Sequence, residues 1–240
     1  MDLPGYVALT RASGLMKTLQ VVANNIANVS TTGFRREGVV FAEMVEALPA
    51  EGGSVAMTAA RARTTSDAQG ALVETGGALD MAIEGAGYFT VLTPQGERLT
   101  RAGAFSRDGE GTVVDAAGHP LLDEGGGPVV IPFEARDIGL AADGTLSVDG
   151  APAAKIGLVA PGPGTRLLRE ADTLFRAEGG VEPLEEGRIL AGFLESSNVN
   201  PVAEMARMIE VQRAYEYGQK LMDAEDARIR LSVRVLGGQG

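Results

Sequence analysis

Apolar residues recur at heptad spacing at both ends of this 240-residue chain. Near the start, Leu15, Leu19, Val22, Ile26 and Val29 step by four and three. Near the finish, Met208, Tyr215, Met222, Ile229 and Leu236 fall one every seven residues. A seam with a 3.5-residue period must face another helix, and a strict heptad tends to supercoil left-handedly. Two such seams need partners: part of each surface pairs within the chain and the rest faces neighbouring copies. That pattern points to a polymer-forming subunit more than to a catalyst.

Local signals bound both helices. Residues 4–28 read as the first, with Asp2 or Leu3 ahead of Pro4, a residue pre-organised for the first helical position. Its seam extends back through Ala12 and Ala8. Gly14 costs about 1 kcal/mol relative to Ala, and tight packing or a tolerated defect accounts for it equally well. The helix fades in Asn28-Val29-Ser30-Thr31-Thr32-Gly33, where side chains compete for backbone hydrogen bonds and Gly33 can take a left-handed cap. The second helix opens on Asn200 as N-cap, Pro201 in the first position and Glu204 in the first turn. Arg228, Arg230 and Arg234 complement the dipole at its end, and Gly237-Gly238 stops it. A run of about 36 residues would reach about 54 Å, and a periodic pattern longer than about 25 residues favours a coiled coil.

Between the helices lies β-structure. Of the 33 glycines, 23 fall between Gly70 and Gly192, so turns dominate there. Tyr88–Leu92, Thr112–Val114 and Lys155–Val159 read as short strands. Asp108-Gly109, Asp143-Gly144 and Asp149-Gly150 suit tight hairpins. The spacing predicts an antiparallel all-β domain in place of alternating βαβ units. The expected fold class is α+β: long N- and C-terminal helices forming a coiled-coil-like domain, with a Gly-rich all-β middle domain projecting from it. The expected divisions are 1–35, an N-terminal helical half; 36–75, an extended connector; 76–192, the β-rich domain; and 193–240, the C-terminal helical half. Within the connector Val39-Val40-Phe41 could be a strand, and Ala50-Glu51-Gly52-Gly53-Ser54 has loop composition.

Composition narrows the function. A net charge of −11 disfavours non-specific nucleic-acid binding and anionic membrane surfaces, both of which require a cationic face. No cysteine is present, so thiol nucleophiles, disulfides and zinc–thiolate sites are absent. No apolar run approaches the roughly 20 residues that span a bilayer. The N-terminus lacks the basic segment and apolar block of a secretory signal peptide, so export would need another route.

Four blocks resemble the axial rod and hook proteins of the bacterial flagellum. Val22-Ala23-Asn24-Asn25-Ile26-Ala27-Asn28-Val29-Ser30-Thr31-Thr32-Gly33-Phe34 is similar to their N-terminal signature. Leu79-Asp80-Met81-Ala82-Ile83-Glu84-Gly85-Ala86-Gly87-Tyr88-Phe89 and Thr100-Arg101-Ala102-Gly103-Ala104-Phe105-Ser106 resemble the entry to their β-domain. Leu194-Glu195-Ser196-Ser197-Asn198-Val199, then Met208-Ile209-Glu210-Val211-Gln212-Arg213-Ala214-Tyr215, resembles their C-terminal signature. The opening Tyr6-Val7-Ala8-Leu9-Thr10-Arg11 and the short length favour the proximal rod type, with a distal rod or hook-type subunit as the alternative. The resemblance implies a structural subunit of the basal-body rod, exported unfolded through the flagellar export apparatus. It implies assembly in the periplasm with copies of itself and other rod proteins, paired terminal helices lining the tube. It implies no cofactor and no nucleic acid or membrane insertion. The expected assembly interface is Leu15, Leu19, Val22, Asn24, Asn25, Ile26, Asn28, Met208, Tyr215, Met222, Ile229 and Leu236. The asparagine cluster could be an intersubunit hydrogen-bonding patch or could cap the helix and its turn.

Chemical sites have little support. His119, the only histidine, sits between Gly118 and Pro120 in a turn with no triad or metal set around it. Gly85-Ala86-Gly87 lacks the third glycine of a dinucleotide fingerprint and opens a strand, not a helix. Asp108-Gly109-Glu110-Gly111 misses the EF-hand ligand register. Glu185-Glu186 is one of many chance acid pairs among 32 acidic residues. A cell-wall polysaccharide hydrolase with helical oligomerisation termini is the competing class, and it would need a convergent constellation that the β-region lacks. A non-enzyme is the expectation.

Overall fold

A computed structural model of the chain describes residues 3–47, 54–171, 173–184 and 187–237. Helix α1 spans Leu3–Ala27 and helix α2 Pro201–Gly237. The first strands are β1 Glu37–Ala47, β2 Ser54–Thr65, β3 Leu72–Glu74, β4 Met81–Glu84, β5 Phe89–Thr93 and β6 Gly96–Thr100. Then come β7 Ser106–Arg107, β8 Val113–Val114, β9 Ile138–Leu140, β10 Thr145–Val148, β11 Ala151–Lys155 and β12 Val159–Pro161. The last are β13 Arg166–Ala171, β14 Leu174–Glu178, β15 Val181–Pro183, β16 Arg188–Ala191 and β17 Phe193–Glu195. The chain is therefore α+β with a helix at each end and a β-rich middle.

Two compact units divide these elements. The first combines the segment up to Ala27, Arg36–Ser66 and the segment from Asn200 onward. It holds α1, α2 and an antiparallel hairpin running from Glu37 opposite Thr65 to Ala47 opposite Ser54, with an irregularity at Val40/Phe41. Glu37–Ala47 and Ser54–Thr65, expected within an extended connector, thus form a long two-stranded ladder grouped with the helices. Ser54 opens β2, whereas Ala50–Gly53 lies outside the described residues, as do Asp2, Glu185, Glu186 and Gly238.

The second unit comprises Asn28–Arg35 and Asp67–Val199. Every ladder in it is antiparallel. The widest sheet runs β13-β14-β6-β5, and β11-β10-β9 forms a three-stranded one. Late strands return to early ones: β16 pairs with β4 and β17 with β3. That return places 193–199, expected within the C-terminal helical half, in the β unit. Lys155–Val159 is not one strand: β11 ends at Lys155, and β12 begins at Val159.

Short strands are viable here because their side chains converge on one aliphatic core. Met81, Ile83, Phe89, Val91, Leu121, Ile131, Leu146 and Ile189 are almost wholly buried in it. Phe89 and Phe105 meet edge to face at 5.6 Å. At about 25 cal/mol per Å² of apolar burial, such a core offsets the backbone entropy of many turns. Asp149-Gly150 makes the expected tight hairpin between β10 and β11, with φ of 50° and 81°. Asp108-Gly109 acts differently. The Asp108 carboxylate accepts from the N–H groups of Glu110 and Thr112, and Gly111 takes the positive φ.

A buried ion cluster ties together distant segments of this unit. Glu195 accepts from Arg35 at 3.0 Å and from Arg101 at 3.2 Å, with all three side chains at most 4% exposed. The Gly70 N–H donates to the same carboxylate at 3.0 Å. Arg35 also donates to the Asp67 carbonyl at 2.7 Å and to the Ala68 carbonyl, and Arg101 to the Gly85 carbonyl at 2.6 Å. Burial, then repulsion from Arg35, holds the Arg101 guanidinium below its ordinary range despite Glu195. Burial likewise raises the Tyr88 hydroxyl, whose ring lies 5.3 Å from the Arg101 guanidinium. Gly33, with φ 68°, threads its N–H onto the Glu195 carbonyl at 2.7 Å. A Cβ there would stand 2.3 Å from the Arg101–Ala102 peptide, so only glycine fits.

Candidate assembly surface

Helix α2 starts as the sequence indicates. The Asn200 side chain accepts from the Ala203 N–H at 3.1 Å, and its carbonyl takes the first helical bond, from Glu204 at 3.0 Å. The inward positions that follow are Glu204, Met208, Val211, Tyr215, Gly218, Met222, Glu225 and Ile229, alternating in steps of four and three. All are buried or half-buried, whereas the opposite face is open. In α1 the most buried positions are Gly14, Thr18, Val21, Val22 and Asn25. That stripe centres about one residue away from the heptad Leu15, Leu19, Val22 and Ile26, because a glycine and a threonine allow closer approach than leucines. Thr18 satisfies its hydroxyl on the Gly14 carbonyl at 3.0 Å.

A polar clamp closes one end of the helix pair. Asn25 Nδ2 donates to the Glu37 carbonyl at 2.9 Å and to Glu204 Oε2 at 3.2 Å. The Glu37 N–H donates to Asn25 Oδ1 at 2.9 Å, so both ends of the amide are engaged. Arg36 Nε donates to the other Glu204 oxygen at 2.5 Å. Asn24 Nδ2 reaches Glu37 Oε2 at 3.4 Å, and Arg63 lies 3.7 Å from the same atom. Asn25, Glu37 and Glu204 are each at most 2% exposed. Burying two carboxylates is costly unless each is paired and hydrogen-bonded, as both are here. Since Asn25 near the end of α1 meets Glu204 at the start of α2, the two helices run antiparallel.

The expected interface residues divide accordingly. Val22, Asn25 and Asn28 are buried; Leu15, Leu19, Asn24, Ile26, Met208, Tyr215, Met222 and Ile229 are half-buried. Leu236 belongs to α2, but its side chain lies outside the described residues. The asparagine cluster splits between two tasks. Asn25 is spent inside the helix–hairpin unit, whereas Asn28 organises the turn, accepting from the Thr31 hydroxyl at 3.0 Å. These bonds of Asn25 and Asn28 lie within the chain.

The periodicity missed both the clamp and the open faces. In sequence Glu204 signals only a dipole-complementing acid, although it stands on the seam four residues before Met208. Glu37 and Arg36 carried no sequence signal. Large apolar side chains point outward along α2: Val202, Met205, Ile209, Tyr217, Leu221 and Leu231, from 50% to 74% exposed. On α1, Leu9 and Met16 are exposed seven residues apart. His119 is held by Asp115, which its ring approaches at 3.0 Å, and no nucleophile joins them among the described residues. Gly85 and Gly87 take positive φ in the turn from β4 to β5, as turn glycines do.

Three family models match in chain order: Flagella basal body rod protein over 6–35, Flagellar hook protein FlgE/F/G D1 domain over 82–148, and Flagellar basal body rod FlgEFG protein C-terminal over 190–231. Helical ends around an antiparallel β-body, with matches at both ends and in the body, define an axial protein of the bacterial flagellum. The flagellar basal-body rod protein FlgF of Caulobacter vibrioides is 39% identical, with 99% of each chain covered. FlgF of Mesorhizobium japonicum is 36% identical over 98% of each chain. FlgG of Bacillus subtilis is 31% identical over 92% of this chain and 94% of that one. This chain belongs to the FlgF family of flagellar basal-body rod proteins.

Proposed function

We propose that this chain is a structural subunit of the proximal rod, without catalytic activity, that polymerises through its terminal helices. Its neighbours are copies of itself and other rod proteins, and the assembled helices form part of the drive shaft and the wall of the export channel. The subunit reaches the periplasm through the flagellar export apparatus. The observation that carries this reading is the outward face of α2. Val202, Met205 and Ile209 expose half or more of their surface at positions i, i+3 and i+7, next to a seam already used within the chain. With half to three-quarters of its surface still open, each such side chain gains about 1–2 kcal/mol when a partner covers it. Coiled-coil winding of the terminal helices and use of the half-buried seam residues between subunits belong to the same proposal.

The test is charge placed on the open face. Ile209→Asp should leave the isolated chain's stability nearly unchanged but abolish swimming when it replaces the native copy. Ile26→Asp and Met222→Asp should also block assembly, but at half-buried positions they weaken the subunit as well, so Ile209 is the cleaner site. Intact rods and normal swimming with Ile209→Asp would defeat the assignment.

A further inference from the structure

We infer that Glu204 is a positioning residue that sets the register between α1 and α2. The seam repeats every seven residues, so a slide of one heptad again sets seam against seam. In the observed antiparallel register Asn25 meets Glu204. Continuing outward places Val21 opposite Met208, Thr18 opposite Val211, and Gly14 opposite Tyr215. If α2 slid by seven residues, Val21 would face Tyr215, Thr18 would face Gly218, and Gly14 would face Met222. Two of these pairs combine small with large or apolar with apolar as the native ones do, and only Thr18–Gly218 packs less fully than Thr18–Val211, so packing separates the two registers less sharply than paired charges can.

The polar groups separate them strongly. In the slid register Asn25 would face Val211, and the Glu204 carboxylate would leave both Asn25 and Arg36. A buried polar contact at one seam position fixes register because every other alignment leaves its members unpaired. From α2, the Glu204 carboxylate reaches two other segments of its unit at once, Asn25 of α1 and Arg36. Asn25 keeps its bonds to the Glu37 backbone whatever α2 does, so Glu204 is the discriminating member. Under the rod assignment proposed above, on which this consequence rests, the register decides how the outward faces of α1 and α2 line up for a neighbour.

The absence of cysteine makes the test direct, since two introduced cysteines carry the only spin labels. Labels at Met16→Cys and Tyr217→Cys, both exposed positions, report the α1–α2 distance in the dilute full-length chain by pulsed electron resonance. The parent and Glu204→Gln, which keeps hydrogen-bonding capacity, should give one common distance. Glu204→Met, close in volume and apolar, should keep its helical circular dichroism yet add a second population displaced along the helix axis by about 10 Å, one heptad. One unchanged distance in Glu204→Met overturns the inference. So does wholesale loss of helix in that variant, because Glu204 would then hold the helices up instead of choosing between alignments. Register is read without any assembly, so its failure and that of the rod assignment are separately visible.

Discussion

Replacing Glu195 by Gln tests what holds the β unit's distant segments together. The substitution keeps shape and the acceptor for the Gly70 N–H, and removes only the charge between two guanidiniums at 3.0 and 3.2 Å. Arg35 and Arg101 are 2% and 4% exposed, so water cannot replace the lost counter-charge. Their mutual repulsion, already second only to burial in lowering Arg101, would stand unopposed. Breaking a buried pair from one side costs about 3–5 kcal/mol, a large share of the roughly 5–15 kcal/mol that a domain has. The upper half of that range is expected, because one carboxylate serves two cations. Native-state hydrogen exchange at the amides of Met81–Glu84 reads the β unit alone, without assuming that both units unfold together. Glu178→Gln is the control: its partner Arg176 and Glu178 itself are over 40% exposed, so a change within about 0.5 kcal/mol is expected. A loss below about 1 kcal/mol for Glu195→Gln would refute the reasoning, since it would mean the cluster is solvated or the cations relax at little cost.

Three further outcomes follow from local geometry. Burial raises the Tyr88 hydroxyl above its ordinary 10.0, so the unfolded chain ionises first; stability is fully present below about pH 10 and lost as pH rises through the raised value. Thermal midpoints from pH 9 to 11 should therefore fall more steeply in the parent than in Tyr88→Phe, and parallel curves would contradict the assignment. Gly103→Ala should destabilise the β unit by about 3 kcal/mol or more, because its Cβ would lie 1.6 Å from the Met81 carbonyl oxygen; a urea midpoint like the parent's would disprove the close approach. Asn200→Ala should cost about 1 kcal/mol of the helical unit's stability through the lost cap, measured by exchange of the first-turn amides of α2.

Much of the architecture was legible because it is local. Heptad spacing, the Asn200 cap and the Asp149-Gly150 turn are signals that a few neighbouring residues carry unaided. The β1–β2 hairpin was not legible, for a local reason too. Ala56–Arg63 is rich in alanine and arginine, which favour helix, yet it stands as a strand because β1 offers a long ladder to pair with. Glu204 and Glu37 were silent for a different cause. A carboxylate is ordinarily a surface residue, and nothing nearby in sequence announces that Asn25, 179 positions before Glu204, will meet it.

By itself, the order of residues determined that this chain has two helices needing partners, a turn-rich antiparallel body between them and the signatures of the flagellar axial proteins. Period, caps and turn chemistry act over a handful of residues, so a linear string suffices to state them. Tertiary structure alone decided which face of each helix is spent inward. It placed the stripe on Gly14, Thr18 and Asn25, left Val202, Met205 and Ile209 open, and enclosed Glu195 between two arginines. Burial and charge pairing depend on residues far apart in the chain being close in space, and only the folded backbone brings them there.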